Sequence, residues 1–251
     1  MRRAVTRTHV RDDTTTEVAA QGRARRRGGL AMTEQYGGHV EPGGLAISRS
    51  VDVGGRSVEI RKLSVGPLDN NAYVLTDTGS GHALLIDAAN DAGRLLGELD
   101  GLVLDAIVTT HGHRDHWQAL AEVADATGVP TWLHPADAGM VPRAADRAIE
   151  HGGEVRFGEV AVRLVHTPGH TQGSTCLLLG DTHLFTGDTL FPGGPGNTFG
   201  SWKAFEQIMD SLERRIFGAL PEETWVYPGH GDDTTLGDER PSLAEWRERG
   251  W

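Results

Sequence analysis

The chain is poor in cysteine: among 251 residues only Cys176 carries a thiol. A disulfide within the chain is therefore excluded, and the usage is compatible with a reducing compartment. Long apolar runs are missing too. No stretch approaches the roughly 20 residues that a membrane-spanning helix needs. The Arg-rich start is not followed by the apolar segment of a secretory signal. These absences predict a cytoplasmic protein with no membrane partner. Basic charge is scarce beyond the N-terminus. The formal net charge is -11, yet residues 1–31 alone carry eight Arg against Asp12, Asp13 and Glu17. The rest of the chain is more acidic still, which argues against a nucleic-acid partner and suits a protein that gathers divalent cations.

The length allows one sizeable core and is short for two full domains. Residues 1–45 read as a disordered N-terminal tail: Thr14–Thr16, the Arg25–Arg27 run and scattered Gly sustain no hydrophobic period. Met32 is a candidate translation start. A folded domain is expected over 46–251. Strand-forming runs fall at Val58–Leu63, Ala72–Thr76, Ala83–Ile86, Ala106–Thr109 and Thr131–Leu133, then at Glu159–Val165, Ser174–Leu179, His183–Thr186 and Thr224–Tyr227. Helical patterns fall at Ala92–Leu99, Gln118–Thr127, Lys203–Arg215 and Leu243–Arg249. Groups of strands interrupted by helices predict an α/β chain: an αββα four-layer sandwich of two mixed β-sheets with outer helices.

The chemistry concentrates in Thr109-Thr110-His111-Gly112-His113-Arg114-Asp115-His116, directly after a strand. Imidazole is the commonest neutral metal ligand, and Asp supplies a hard oxygen. In an extended stretch residues i and i+2 point the same way, so His111 and His113 suit one ion. A turn into a helix at Asp115-His116 aims those two at a second. Three more candidates sit just past strands beside Gly or Pro: His170 in Pro168-Gly169-His170, Asp188 in Gly187-Asp188-Thr189, and His230 in Pro228-Gly229-His230. A single histidine of this kind is more often a cap or surface residue, whereas an ordered cluster at a strand end points to a metal.

On these motifs, with Leu85-Ile86-Asp87, the sequence resembles the metallo-β-lactamase superfamily over roughly residues 57–249, and within it the short-form, glyoxalase II-like (hydroxyacylglutathione hydrolase-like) hydrolases. The resemblance implies two divalent metal ions, with zinc expected and iron or manganese compatible. His111, His113 and His170 would hold the first ion. Asp115, His116 and His230 would hold the second, and Asp188 would bridge both. Asp87 would stand behind a ligand imidazole or act structurally. The β-lactam-cleaving branch lacks the bridging Asp, so β-lactam hydrolysis is not expected. The implied activity is hydrolysis of a small-molecule thioester by a metal-bridging hydroxide, with Asp115 as the catalytic residue that aims it. Alternatives are a mononuclear-iron persulfide dioxygenase using His111, His170 and Asp188, and a lactonase of the same fold. A nucleic-acid-processing relative is disfavoured by the acidic body.

In Phe191–Ser201, Asn197 stands where such hydrolases usually carry a basic substrate-binding residue, which favours a thiol carrier other than glutathione. His134 and His166 read as structural, Cys176 as core, and His9, His39, His82, His151 and His183 as surface or turn residues. Trp117 reads equally as a wall of the site or as packing.

Overall fold

The computed structural model describes residues 36–250. Residues 1–35, which hold His9 and most of the predicted N-terminal tail, and Trp251 lie outside the described residues. The first elements among the described residues are four antiparallel strands: β1 (Ile47–Val53), β2 (Arg56–Val65), β3 (Asn70–Asp77) and β4 (His82–Ile86). Helix α1 (Ala92–Glu98) leads to β5 (Val103–Val108), and α2 (Leu120–Thr127) leads to β6 (Thr131–Leu133) and β7 (Arg147–Ala148). From β4 to β7 the pairing is parallel. Then come β8 (Glu154–Phe157), β9 (Val160–His166), β10 (Thr175–Leu179), β11 (His183–Gly187) and the hairpin of β12 (Leu190–Phe191) and β13 (Gly194–Pro195). Helix α3 (Trp202–Ser211) runs on into a π-helical turn, Leu212–Phe217. The chain continues through β14 (Trp225–Pro228), β15 (Thr234–Thr235), α4 (Leu236–Glu239) and α5 (Leu243–Arg249).

The strands make a seven-stranded sheet in the order β1-β2-β3-β4-β5-β6-β7 and a six-stranded sheet in the order β15-β14-β11-β10-β9-β8. In the second sheet β11 and β14 are parallel, and the other pairs are antiparallel. Because successive side chains alternate between faces, each central strand feeds two cores. On β4, Leu84 and Ile86 enter a core shared with the second sheet, while Ala83 and Leu85 enter one under α1 and α2. On β10, Leu177 and Leu179 face the shared core, while Cys176 and Leu178 pack beneath α3, the π-helical turn and Trp246 of α5. Three cores separate four layers, the αββα sandwich that the strand grouping predicts.

Six strands go beyond the sequence expectation: the two-residue β7, β12, β13 and β15, and the longer β1 and β8. β1 and β8 are half exposed, and their alternation of exposed and covered residues is short. The expected helix at Asp115-His116 is a single 3-10 turn, Arg114–His116, and α2 begins only at Leu120. The described part of the predicted tail, residues 36–45, includes buried Val40 and a segment that lies against the loop after β14. No helix among the described residues is long and apolar enough to cross a membrane.

Candidate metal centre

Five strands end at one rim. β4 delivers Asp87, β5 the His111–His116 turn, β9 His170, β11 Asp188 and β14 His230. Their side chains meet in three overlapping triads whose candidate ligand atoms lie within 4.8 Å of one another: His111, His113 and His170; His111, His116 and Asp188; Asp115, His116 and His230. All seven residues singled out in the sequence are thus brought together.

The close approach depends on glycine. A Cβ on Gly229 would lie 2.3 Å from Asp188 Oδ1 and 2.6 Å from His116 Cε1. One on Gly196 would lie 1.8 Å from the Asp188 carbonyl. Any side chain at these positions would push Asp188 and His116 out of the cluster.

Most of the imidazoles are oriented from behind, which fixes their tautomers through their partners. His170 Nδ1 donates to the Asn197 carbonyl at 2.8 Å, and His230 Nδ1 donates to the Leu68 carbonyl at 2.8 Å. His116 Nδ1 lies 2.9 Å from Asp87 Oδ2. The Thr110 hydroxyl donates to Asp87 at 2.8 Å, so His111 Nδ1, 3.1 Å from that hydroxyl, must be the donor of its pair. Four Nε2 lone pairs therefore point inward. His116 Nε2 and His230 Nε2 face each other at 3.2 Å, and His113 Nδ1 stands 3.2 Å from His111 Nε2 and 2.8 Å from His170 Nε2. Acceptors gathered so closely repel unless positive charge lies among them. Asp188 Oδ1 adds a buried carboxylate oxygen with no hydrogen-bond partner, an arrangement that is costly unless a cation satisfies it. The donor set of imidazole nitrogen and carboxylate oxygen fits divalent metal ions.

Proton affinities carry the same signature. Burial and the adjacent His116 hold His111 well below the ordinary imidazole range, and burial also lowers His113 and His170. For His116 burial works against a proton, yet Asp188 and Asp87 outweigh it and hold the group well above its usual value. His230 is likewise opposed by burial, but Asp115 and Asp188 push it up to about 10. The His230 contact holds Asp115 well below the carboxylate range. Burial would raise Asp188, but His116 and His230 bring it well below that range. The second half of the cluster thus draws positive charge to the inward nitrogens of His116 and His230.

Asp87 takes the position the sequence suggested for it. Its Oδ1 accepts the Thr110 amide at 2.7 Å while Oδ2 orients His116. Two further residues escaped sequence reading. Asp137, buried on the 3-10 turn Pro135–Met140, accepts the Gly112 amide at 2.8 Å, the Thr171 hydroxyl at 2.6 Å and the Gly173 amide at 2.8 Å. It ties the His111–His113 turn to the His170 turn. Asn70 Nδ2 donates to Asp115 Oδ2 at 3.1 Å. Neither residue carries a local signature, since each acts on partners distant in sequence.

The mouth is apolar. Leu68, whose carbonyl holds His230, and Phe199 are largely exposed, and the Phe199 ring lies 5.6 Å from that of His113 and 5.8 Å from that of His170. Asn197 uses its carbonyl on His170 and its side chain on the Phe199 amide at 2.7 Å. Trp117 is half buried and donates to the Gly112 carbonyl at 2.8 Å, supporting the motif backbone. His134 and His166 stack on each other 4.0 Å apart and join none of the triads. Cys176 is buried under α3. His183 departs from the surface expectation: it is buried, with Nδ1 3.0 Å from the Tyr227 hydroxyl.

The chain is similar to proteins already named or solved. The hydroxyacylglutathione hydrolase of Methylococcus capsulatus is 38% identical over 190 residues, covering 72% of this chain and 71% of that one. The crystal structure of ETHE1 from Myxococcus xanthus superposes with a TM-score of 0.67 at 33% identity, over 74% of this chain and 84% of that one. TTHA1623, solved in a di-iron-bound form, superposes with a TM-score of 0.61 at 33% identity, over 71% and 96% of the two chains. Residues 65–230, which run from the end of β2 to His230, match the metallo-beta-lactamase superfamily. With its sandwich fold and its cluster of inward nitrogens and carboxylates, the chain belongs to the metallo-beta-lactamase superfamily, whose fold binds divalent metals and whose members are mostly hydrolytic enzymes.

Proposed function

We propose that the chain is a two-ion metallohydrolase that cleaves a thioester of a small thiol conjugate. The observation that carries this reading is the place of Asp188. Its Oδ1 lies 3.3 Å from His116 Nε2, and its Oδ2 lies 3.4 Å from His170 Nε2 and 3.5 Å from His230 Nε2. One carboxylate faces both halves of the cluster. In this reading His111, His113 and His170 hold one ion, Asp115, His116 and His230 hold the other, and Asp188 is shared. Zinc suits the donors, as do iron and manganese, and the di-iron form of TTHA1623 adds weight to iron.

Bound divalent cations supply Lewis acidity and make water a nucleophile at neutral pH. The remaining work belongs to the chain. Asp115 stays ionised beside His230, with Asn70 holding its Oδ2, so it can accept a hydrogen bond from an attacking water and aim it. The rigid His170 and His230 turns keep the rim in place around a scissile carbonyl. Leu68 and Phe199 offer an apolar surface to the acyl group or its carrier. A thiol leaves without a strong general acid, because its pKa is about 8.5. Likeness to a hydroxyacylglutathione hydrolase supports the thioester class, while Asn197 in place of a basic residue favours a carrier other than glutathione.

The test is thiol release from a panel of small thioesters, S-lactoylglutathione and non-glutathione carriers included, with protein of measured metal content. Fast release from one carrier, abolished by chelation, is the expected result. Release from none sinks the thioesterase reading. A second reading, persulfide oxidation at a single iron on His111, His170 and Asp188, draws on the likeness to ETHE1 and on the contact between His170 and Asp188. Iron content with oxygen uptake distinguishes it.

A further inference from the structure

β2 carries an apolar series on its inward face that ends unexpectedly. Val58 and Ile60 enter the shared core, and two residues on the same face holds Lys62, fully buried. Alternation along the strand calls for another aliphatic residue there. All three ammonium donors are instead used: Nζ donates to the Gly231 carbonyl at 2.6 Å, the Gly38 carbonyl at 2.7 Å and Asp233 Oδ1 at 2.7 Å. Asp233 also accepts from the Tyr36 hydroxyl at 2.7 Å, and its amide donates to the Gly38 carbonyl at 3.1 Å. His39 pairs with Asp232. Residues 36–39 therefore lie as a strap across the segment that follows His230, with Lys62 as its buried fastening.

A buried ion pair is weak evidence for stability, because apolar residues of similar volume often serve as well. Lys62 invites another explanation, and its partners supply one. Gly231 directly follows His230. The Gly231 carbonyl also accepts from Asn71 Nδ2 at 2.9 Å, and the Pro228 carbonyl accepts from Asn71 Nδ2 at 2.9 Å and from the Tyr73 hydroxyl at 2.7 Å. The backbone on both sides of His230 is thus clamped from β2 and β3. Tyr36, Gly38, Lys62 and Asp233 all lie outside residues 65–230, the stretch matched to the superfamily.

We propose that Lys62 is a positioning residue for the ion on the Asp115, His116 and His230 side. By gripping the Gly231 carbonyl and the Tyr36–Asp233 strap, it fixes the backbone that presents His230 Nε2. This inference rests on the two-ion reading of the cluster.

The experiment uses the Zn2+-loaded protein and the double variant K62M/D233L, which exchanges the ion pair for apolar side chains and removes the grip on Gly231. Zn2+ per chain is measured during stepwise competition with a chelator, alongside thermal unfolding. The expected result is a folded variant that holds one Zn2+ as tightly as the wild type while its second is weakened about 10- to 100-fold, the range for residues that support ligands. Two ions held with unchanged affinity, or both weakened equally, overturn the proposal. Should the double variant fail to fold, Y36F removes one hydroxyl and gives the graded form: selective weakening of the second Zn2+ supports the proposal, and no change overturns it. A wild type that never holds two Zn2+ sinks the two-ion reading itself, an outcome separate from the failure of the clamp.

Discussion

The two sheets supply the cluster in different ways. The seven-stranded sheet contributes four residues from one turn, His111, His113, Asp115 and His116, immediately after β5. The six-stranded sheet contributes His170, Asp188 and His230 singly, from the ends of β9, β11 and β14. The first set is local: once β5 ends and the 3-10 turn forms, its geometry is nearly complete. The second set depends on closure of the sandwich, and its members are steadied by carbonyls from elsewhere, Asn197 for His170 and Leu68 for His230. A site built so has a self-sufficient set and a dependent set, and each of the two ion positions proposed above draws on both; Asp188, from the dependent set, faces both positions.

The hardest blow falls on the residue that both proposed ion positions share. D188A removes the carboxylate facing His116, His170 and His230, and turnover should fall by about 10³-fold or more. Metal content should fall at both ion positions, with circular dichroism unchanged. Loss of a single ion with the other intact would break the view of Asp188 as the joint. Within the local set, D115N keeps the shape and removes the charge. It should cut turnover by about 10²- to 10³-fold while thermal unfolding stays close to the wild type. Near-normal turnover would remove Asp115 from its proposed role.

The supporting carboxylates sharpen the comparison further. Asp87 backs His116, whereas Asp137 couples the His111–His113 turn to the His170 turn. D87N should weaken the ion on the His116 side, and D137N the ion on the His170 side, each by about 10- to 100-fold. Competition with a chelator, read as ions lost per chain, separates the two. If both variants lose the same ion, the two positions are not independently supported.

How much of this is legible in the sequence follows the same division. The ordered cluster His111–His116 announces itself because its members are neighbours in the chain. His170, Asp188 and His230 are each ambiguous alone and become readable through their Gly and Pro turns and the resemblance those turns carry. The sandwich follows from the grouping of apolar strands, since three cores cover both faces of β4 and β10 and make them continuous apolar runs. What stays hidden is long-range support. Asn70 looks like turn chemistry, Asp137 like a surface carboxylate after Pro135, and Lys62 like an ordinary strand lysine. Their roles exist only once distant backbone reaches them. The edge strands β1 and β8 are hidden for the opposite reason, because half-exposed strands carry too little apolar pattern to stand out.

The smallest expected effect concerns the end of β11 remote from Asp188. His183 begins that strand, and burial, with a minor push from Arg49, lowers its pKa to about 4. An unfolded chain would titrate the same imidazole near 6.5. Between these values the unfolded state binds more protons, so stability rises with pH across the window. The contribution of a neutral, buried His183 is complete above about pH 6.5 and is lost progressively as pH falls toward 4. With partial solvent screening it amounts to on the order of 1–2 kcal/mol. Urea unfolding of wild type and H183Q at pH 7 and pH 5 tests this, because the cluster histidines are common to both proteins and cancel in the difference. The wild type should lose more stability than H183Q on acidification. Equal losses would show that His183 contributes nothing to the acid response and that its burial leaves no mark on stability.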